Sequence, residues 1–163
     1  MPGLEDLYRE IILDHYKNPR NRGVLEAPPA QKSEGMNPLC GDEIAVYLVV
    51  DGTGDNAVVR DIKIGGQGCS ISQSSASMMS SAVKGKTAAE ARAVIRAFKA
   101  MMSIHEAGFD HDDHPVDAIP EVKLGDLEAL RGVVKFPVRI KCATLAWNTF
   151  AQGLDEAAKA AAQ

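Results

Sequence analysis

Two β-branched runs separated by five residues constrain this chain more than any other feature. Residues 44–51 read IAVYLVVD and residues 57–65 read AVVRDIKIG. Both favour extended backbone. The GTGDN linker between them supplies the glycine and asparagine that a hairpin turn needs. A connection this short pairs the two strands antiparallel, since a parallel pair needs a crossover of a dozen residues or more.

Almost everything else has helical periodicity. Leu4, Leu7 and Ile11, with Tyr8, Ile12 and His15, form one broad apolar face, and Asn18-Pro19 ends that helix. A short edge strand is expected around Val24 and Leu25. A second helix begins at Ser70, where Ser70 and Gln73 have capping-box spacing. After the Gly85 break, Thr87 and Glu90 form another candidate box. Val94, Ile95, Phe98, Met101 and Met102 then give a core face. Met78 and Met79 are read as core as well. A short helix is expected in DLEALRGV, and a last one from about Pro137. Strands first and helices afterwards argue for α+β. No repeat and no boundary interrupts the 163 residues, so residues 1–163 are read as a single domain.

The net charge of -4 and the pI of about 5.5 give no electrostatic reason to expect nucleic acid or an anionic membrane as partner. Residues 1–20 carry charges throughout, unlike a signal peptide. No apolar run reaches the roughly 18 residues of a membrane span. A cytoplasmic location is expected.

The three cysteines are odd in number and far apart, at Cys40, Cys69 and Cys142. A disulfide framework normally uses an even set in an exported chain. Each falls at the end of an element: Cys40 in the NPLCGDE turn, Cys69 in the GGQGCS turn, Cys142 near the start of the last helix. Asp42 is two residues from Cys40, a spacing that puts both side chains on one side of an extended chain. Helix N-termini carry partial positive charge, which favours thiolate over thiol. Three thiolates and a carboxylate make a four-ligand set suited to tetrahedral zinc, and thiolates also suit iron–sulfur chemistry. Spacing alone leaves the alternative open. Cys69 and Cys142 then are small buried residues, and Asp42 caps a turn.

Among the four histidines, His15 lies on the apolar helix face and is read as structural. His105, His111 and His114 belong to a polar, proline-broken loop read as solvated surface. The GGQG turn lacks the GK[ST] ending of a phosphate loop. No histidine adjoins a cysteine, which counts against a cysteine hydrolase. A zinc site with a purely structural role is a further alternative.

The segments LYREIILDHYKNPRNRG, NPLCGDEI, GGQGCSISQSSASMMSSAVKGKT, LGDLEALRGV and KFPVRIKCATLAW resemble the IscU/SufU family of iron–sulfur cluster assembly proteins. The resemblance covers nearly the whole chain and all three cysteines in order. It implies an α+β fold with a small, mainly antiparallel three-stranded sheet. About five to six helices pack on that sheet, and the C-terminal one is long. It further implies Cys40, Asp42, Cys69 and Cys142 as zinc ligands and Cys40 as the sulfur acceptor. The scaffold branch of the family has a histidine immediately before the third cysteine, where this chain has Lys141. FPVRI also replaces the scaffolds' proline-rich motif. Both departures resemble the SufU branch. Its members bind zinc and take persulfide sulfur from a SufS-type cysteine desulfurase, with downstream iron–sulfur scaffold proteins as further partners. Arg139, one turn before Cys142, is a candidate to assist. The alternative role is a scaffold that builds and passes on a [2Fe-2S] cluster, or holds iron, on the same residues.

Overall fold

The structure is a computed structural model describing residues 4–26, 30–38, 41–102 and 125–161. Three strands, β1 (Gln31–Asn37), β2 (Asp42–Asp51) and β3 (Val58–Gln67), form an antiparallel sheet in sequence order. Helix α1 (Leu4–Lys17) precedes them. Helices α2 (Ser70–Val83), α3 (Ala88–Met102) and α4 (Pro137–Ala161) follow, with a 3-10 segment at Gly125–Lys135 before α4. The architecture is the expected α+β, with a long C-terminal helix.

The pleat sorts the sheet into two faces. Asp42, Ile44, Val46 and Leu48 of β2 point the same way and are all buried. Their register partners Asn37 and Ser33 on β1, and Ile62 and Ile64 on β3, are buried beside them. This face carries the helices: α4 lies across β1 and β2, and α2 against β3. On the other face Lys32, Tyr47 and Lys63 are aligned, with the Lys32 ammonium 5.6 Å from the Tyr47 ring centre.

The third strand is at Gln31–Asn37, and Val24 is instead 73 % exposed. The sequence QKSEGMN contains no β-branched residue, which is why propensity overlooked it. Its inward residues are small or polar because α4 lies directly on them. A methyl group at Gly35 would overlap the Thr149 hydroxyl, and Gly153 of α4 comes close to Ser33. From Asn37 back to Gln31 the strand rises about 20 Å. From Cys142 to Glu156 the helix rises about 21 Å. The contacts keep this pace: Asn37 meets Cys142, Gly35 meets Leu145 and Thr149, Ser33 meets Gly153, and Gln31 bonds Glu156 at 2.8 Å. The chain just before Val24 does reach the sheet, at the free edge of β3. There Gly23 N–H donates to the Ile64 carbonyl at 3.1 Å and Ile64 N–H to the Asn21 carbonyl at 2.9 Å.

Helix starts divide similarly. Thr87 and Glu90 form the reciprocal box, with Glu90 N–H donating to Thr87 Oγ1 at 3.1 Å and Thr87 N–H to Glu90 Oε1 at 3.3 Å. The Ser70–Gln73 box does not form. Cys69 is the N-cap of α2, and the Gln73 side-chain oxygen accepts Arg22 at 2.9 Å. The helix expected at DLEALRGV is wound as 3-10 turns. The loop with His105, His111 and His114 lies outside the described residues.

Met78, Met79, Met101 and Met102 are core, as expected. The core centres on Trp147, which stacks on Phe98 with ring centres 4.4 Å apart; both are fully buried. Truncating Phe98 removes one side of that stack and leaves a cavity. Phe98→Ala should cost about 3–5 kcal/mol of unfolding free energy. Urea melts followed by the fluorescence of Trp147, the chain's single tryptophan, would show this as a lower midpoint. An unshifted midpoint would contradict the packing described.

Candidate metal centre

The inward row of β2 ends in a carboxylate. Asp42 continues the line of Leu48, Val46 and Ile44, so the pleat sends its side chain into the protein rather than into solvent. It is fully buried. Among the described residues no lysine, arginine or histidine forms an ion pair with it. Burying an ionised carboxylate is costly unless something compensates its charge. Part of the compensation is the start of α2, where Cys69 N–H donates to Asp42 Oδ1 at 2.8 Å.

Two sulfurs complete the group. Cys69 Sγ lies 3.9 Å from Asp42 Oδ2. Cys142, in the second turn of α4, is fully buried. The three ligand atoms of Asp42, Cys69 and Cys142 all lie within 4.8 Å of one another. Tetrahedral zinc with bonds of about 2.0–2.3 Å spaces its ligand atoms roughly 3.5–3.8 Å apart. The group therefore brackets a metal-sized centre, and a dication there would meet the charge of Asp42, which no cation among the described residues pairs. The donor set fits the ion.

Gly68 makes the approach of Asp42 possible. A methyl group there would overlap both the Asp42 carboxylate and the Ser72 hydroxyl. Ser72 in turn donates to the Cys69 carbonyl at 3.1 Å. Arg22 fastens the same turn from outside, bonding the Gln73 amide oxygen at 2.9 Å and the Gly66 carbonyl at 2.5 Å.

Of the other candidates, Cys40 lies outside the described residues. Arg139 is exposed on α4 and, among the described residues, makes no ion pair with Asp42; Lys141 is exposed too. His15 is buried and bonded at both ring nitrogens, to Ser77 Oγ at 2.8 Å and to Asp126 Oδ2 at 3.0 Å. It is a structural bolt between α1, α2 and the 3-10 segment, as its helix face implied. Sequence reasoning missed Asn37, whose Nδ2–H donates to Cys142 Sγ at 3.7 Å. Its signal was present: Asn37 opens the NPLCGDE motif, but the strand it ends was not recognised.

With this geometry in place, relatives can be set beside it. Residues 7–143 match the family model of the NifU-like N-terminal domain. The chain belongs to that family. It is 46 % identical over 151 residues to the zinc-dependent sulfurtransferase SufU of Bacillus subtilis, covering 93 % of this chain and 91 % of that protein. It is 38 % identical over 157 residues to the iron–sulfur cluster assembly scaffold protein IscU of Streptococcus pyogenes, covering 96 % and 88 %. A solved structure from Fervidobacterium islandicum, described as a candidate iron–sulfur cluster assembly scaffold for the SUF system, superposes with a TM-score of 0.67. The two are 33 % identical, and the match covers 90 % of this chain and 96 % of that one. Among the described residues of this NifU-like domain, no helix is long and apolar enough to cross a membrane.

Gly68 gives a direct test of the group. Gly68→Ala should push the Asp42 carboxylate aside and weaken Co2+ binding, read by its thiolate charge-transfer absorption, by about tenfold or more. Unchanged affinity would show that Asp42 does not belong to the metal group.

Proposed function

We propose that this chain is a zinc-dependent sulfur acceptor serving iron–sulfur cluster assembly in the cytoplasm. In this reading it takes persulfide sulfur from a cysteine desulfurase of the SufS type and passes it to downstream iron–sulfur scaffold proteins. The observation that carries the reading is the buried Asp42 carboxylate, without an ion pair among the described residues, facing two cysteine sulfurs. The 46 % identity to a protein named a zinc-dependent sulfurtransferase supports it. Nucleic acid has no part in it.

Asp42, Cys69, Cys142 and Cys40 are assigned as the residues that hold zinc. Bound there, zinc keeps its cysteines deprotonated at neutral pH. The placement of Cys69 and Cys142 supports giving the transfer to Cys40. Cys142 is enclosed, and Cys69 is tied into the first turn of α2, so neither is free to travel. Cys40 lies in the glycine-containing connection between β1 and β2 and is assigned the transfer. Its thiolate attacks the terminal sulfur of the desulfurase persulfide. The sulfur–sulfur bond of that persulfide breaks, its electron pair leaves on the desulfurase cysteine, and Cys40 keeps the sulfur as a new persulfide. Arg139, exposed one turn before Cys142, is assigned to meet the incoming anionic persulfide.

A second reading, a scaffold for a [2Fe-2S] cluster or for iron, is favoured by the relatives named IscU, which align over most of the chain. Metal analysis combined with desulfurase turnover separates the two. The sulfur-acceptor reading expects about one zinc per chain and strong stimulation of the desulfurase, abolished by Cys40→Ser. Arg139→Ala should weaken stimulation at low concentration of the chain and recover at high concentration. Little zinc, with a coloured cluster that moves on to an acceptor protein, would replace this reading with the scaffold.

A further inference from the structure

The hydrogen bond from Asn37 to Cys142 has a consequence beyond ligand geometry. Asn37 is the last residue of β1 and the register partner of Asp42. Both point inward, so the end of the sheet sets an amide and a carboxylate side by side beneath the start of α4. Asn37 is 93 % buried, at 7 % exposure, and its Nδ2–H reaches Cys142 Sγ at 3.7 Å, an ordinary length for a sulfur acceptor. The sulfur it meets is fully buried.

An N–H donor aimed at a thiolate draws charge off the sulfur. It lowers the energy of the sulfur lone pairs, so the sulfur remains a ligand and becomes a weaker nucleophile and a poorer reductant. It also fixes the side-chain rotamer, as an outer hydrogen bond does for a metal ligand generally. Asp42 has the matching arrangement, since Cys69 N–H holds its carboxylate at 2.8 Å. Among the described residues, the centre therefore has one donor on the carboxylate and one on the Cys142 sulfur.

We propose that Asn37 is a positioning residue that designates Cys142 as a retained thiolate ligand. It quiets this sulfur, so that exchange and sulfur transfer fall to a different cysteine. The inference rests on the metal-binding reading of the group and goes beyond it by ranking the sulfurs. The helix–strand pacing supports it. The stepwise contacts of α4 along β1 end at the Asn37–Cys142 pair, so the donor and its sulfur are held by the whole length of both elements rather than by a loop.

The test loads the full-length chain with Co2+ and compares it with Asn37→Leu, near-isosteric without a donor, and Asn37→Ala. Removing the donor should move the sulfur-to-cobalt charge-transfer band to lower energy and weaken Co2+ binding by about tenfold or more. Trp147 fluorescence melts show that the variants compared are folded, and Asn37→Leu keeps the comparison valid if the alanine variant is not. A band and an affinity unchanged in a folded variant would overturn the inference and leave the metal reading standing. A wild-type chain that shows no thiolate-to-cobalt band would overturn both. A merely structural role for Asn37 would lower the melt without moving the band, and that result also counts against the proposal.

Discussion

The buried carboxylate of Asp42 is the constraint around which the rest is arranged. It sits where the sheet's apolar row would place another aliphatic side chain, with Ile44, Val46 and Leu48 behind it. A charge in that position is tolerable only if its surroundings answer it. The first backbone N–H of the α2 start does so in part. The missing side chain of Gly68 lets that helix come near enough. Among the described residues nothing more answers that charge, and the remaining negative charge faces two sulfurs, a donor set that could hold a cation.

Such a site must be held against the tendency of its polar groups to find water. Helix α2 does this with an interior of serines. Ser72, Ser74, Ser75, Ser77 and Ser80 are all buried, a composition that would be costly in an ordinary core. Ser72 and Ser74 bond back to the carbonyls of Cys69 and Ile71, while Ser75, Ser77 and Ser80 reach neighbouring elements. Ser75 donates to the Ala143 carbonyl at 2.6 Å and accepts Trp147 Nε1–H at 3.0 Å, which joins α2 to α4 one residue beyond Cys142. Ser77 accepts Arg20 N–H at 2.8 Å and meets His15, which continues to Asp126. Serine is small enough for close helix packing and carries a hydroxyl that fixes orientation. The two helix-borne sulfurs are thereby held relative to each other by bonds between α2 and α4, one of them at the residue next to Cys142.

How much of this was legible follows from the kind of signal each residue leaves. β2 and β3 were readable because their inward residues are β-branched and their turn is glycine-rich. β1 was not, because its inward positions, Ser33, Gly35 and Asn37, are chosen for closeness to α4 and not for hydrophobicity. That is a tertiary reason, visible only once Thr149 and Gly153 are seen across from them. The Thr87–Glu90 box was local and formed. The Ser70–Gln73 box was equally local and lost, because Arg22, 51 residues away from Gln73, claims the glutamine. Asp42, Cys69 and Cys142 could be named as candidates from element ends and family resemblance. Their convergence within 4.8 Å needed the fold. Asn37 shows the same limit, since a donor to sulfur has no pattern of its own in a sequence.

The exposed charges contrast with these buried bonds and show where the stability resides. Arg20, hydrogen-bonded to Asp14, holds that carboxyl below its usual range, and Asn18 adds to the effect. A depressed carboxylate contributes stability above its unfolded value of 3.8, and the contribution is lost as pH falls through the lower folded value. The pair lies on the surface, with side-chain exposures of 39 % and 50 %, where solvent and salt screen it. Its role is to pin the turn after α1, and the same turn delivers Arg20 N–H to the buried Ser77. An ion pair that adds little by itself thus sets the position of a backbone donor in the interior. The buried serine network converts that placement into the orientation of α2, which starts from its N-cap Cys69, a member of the candidate metal group.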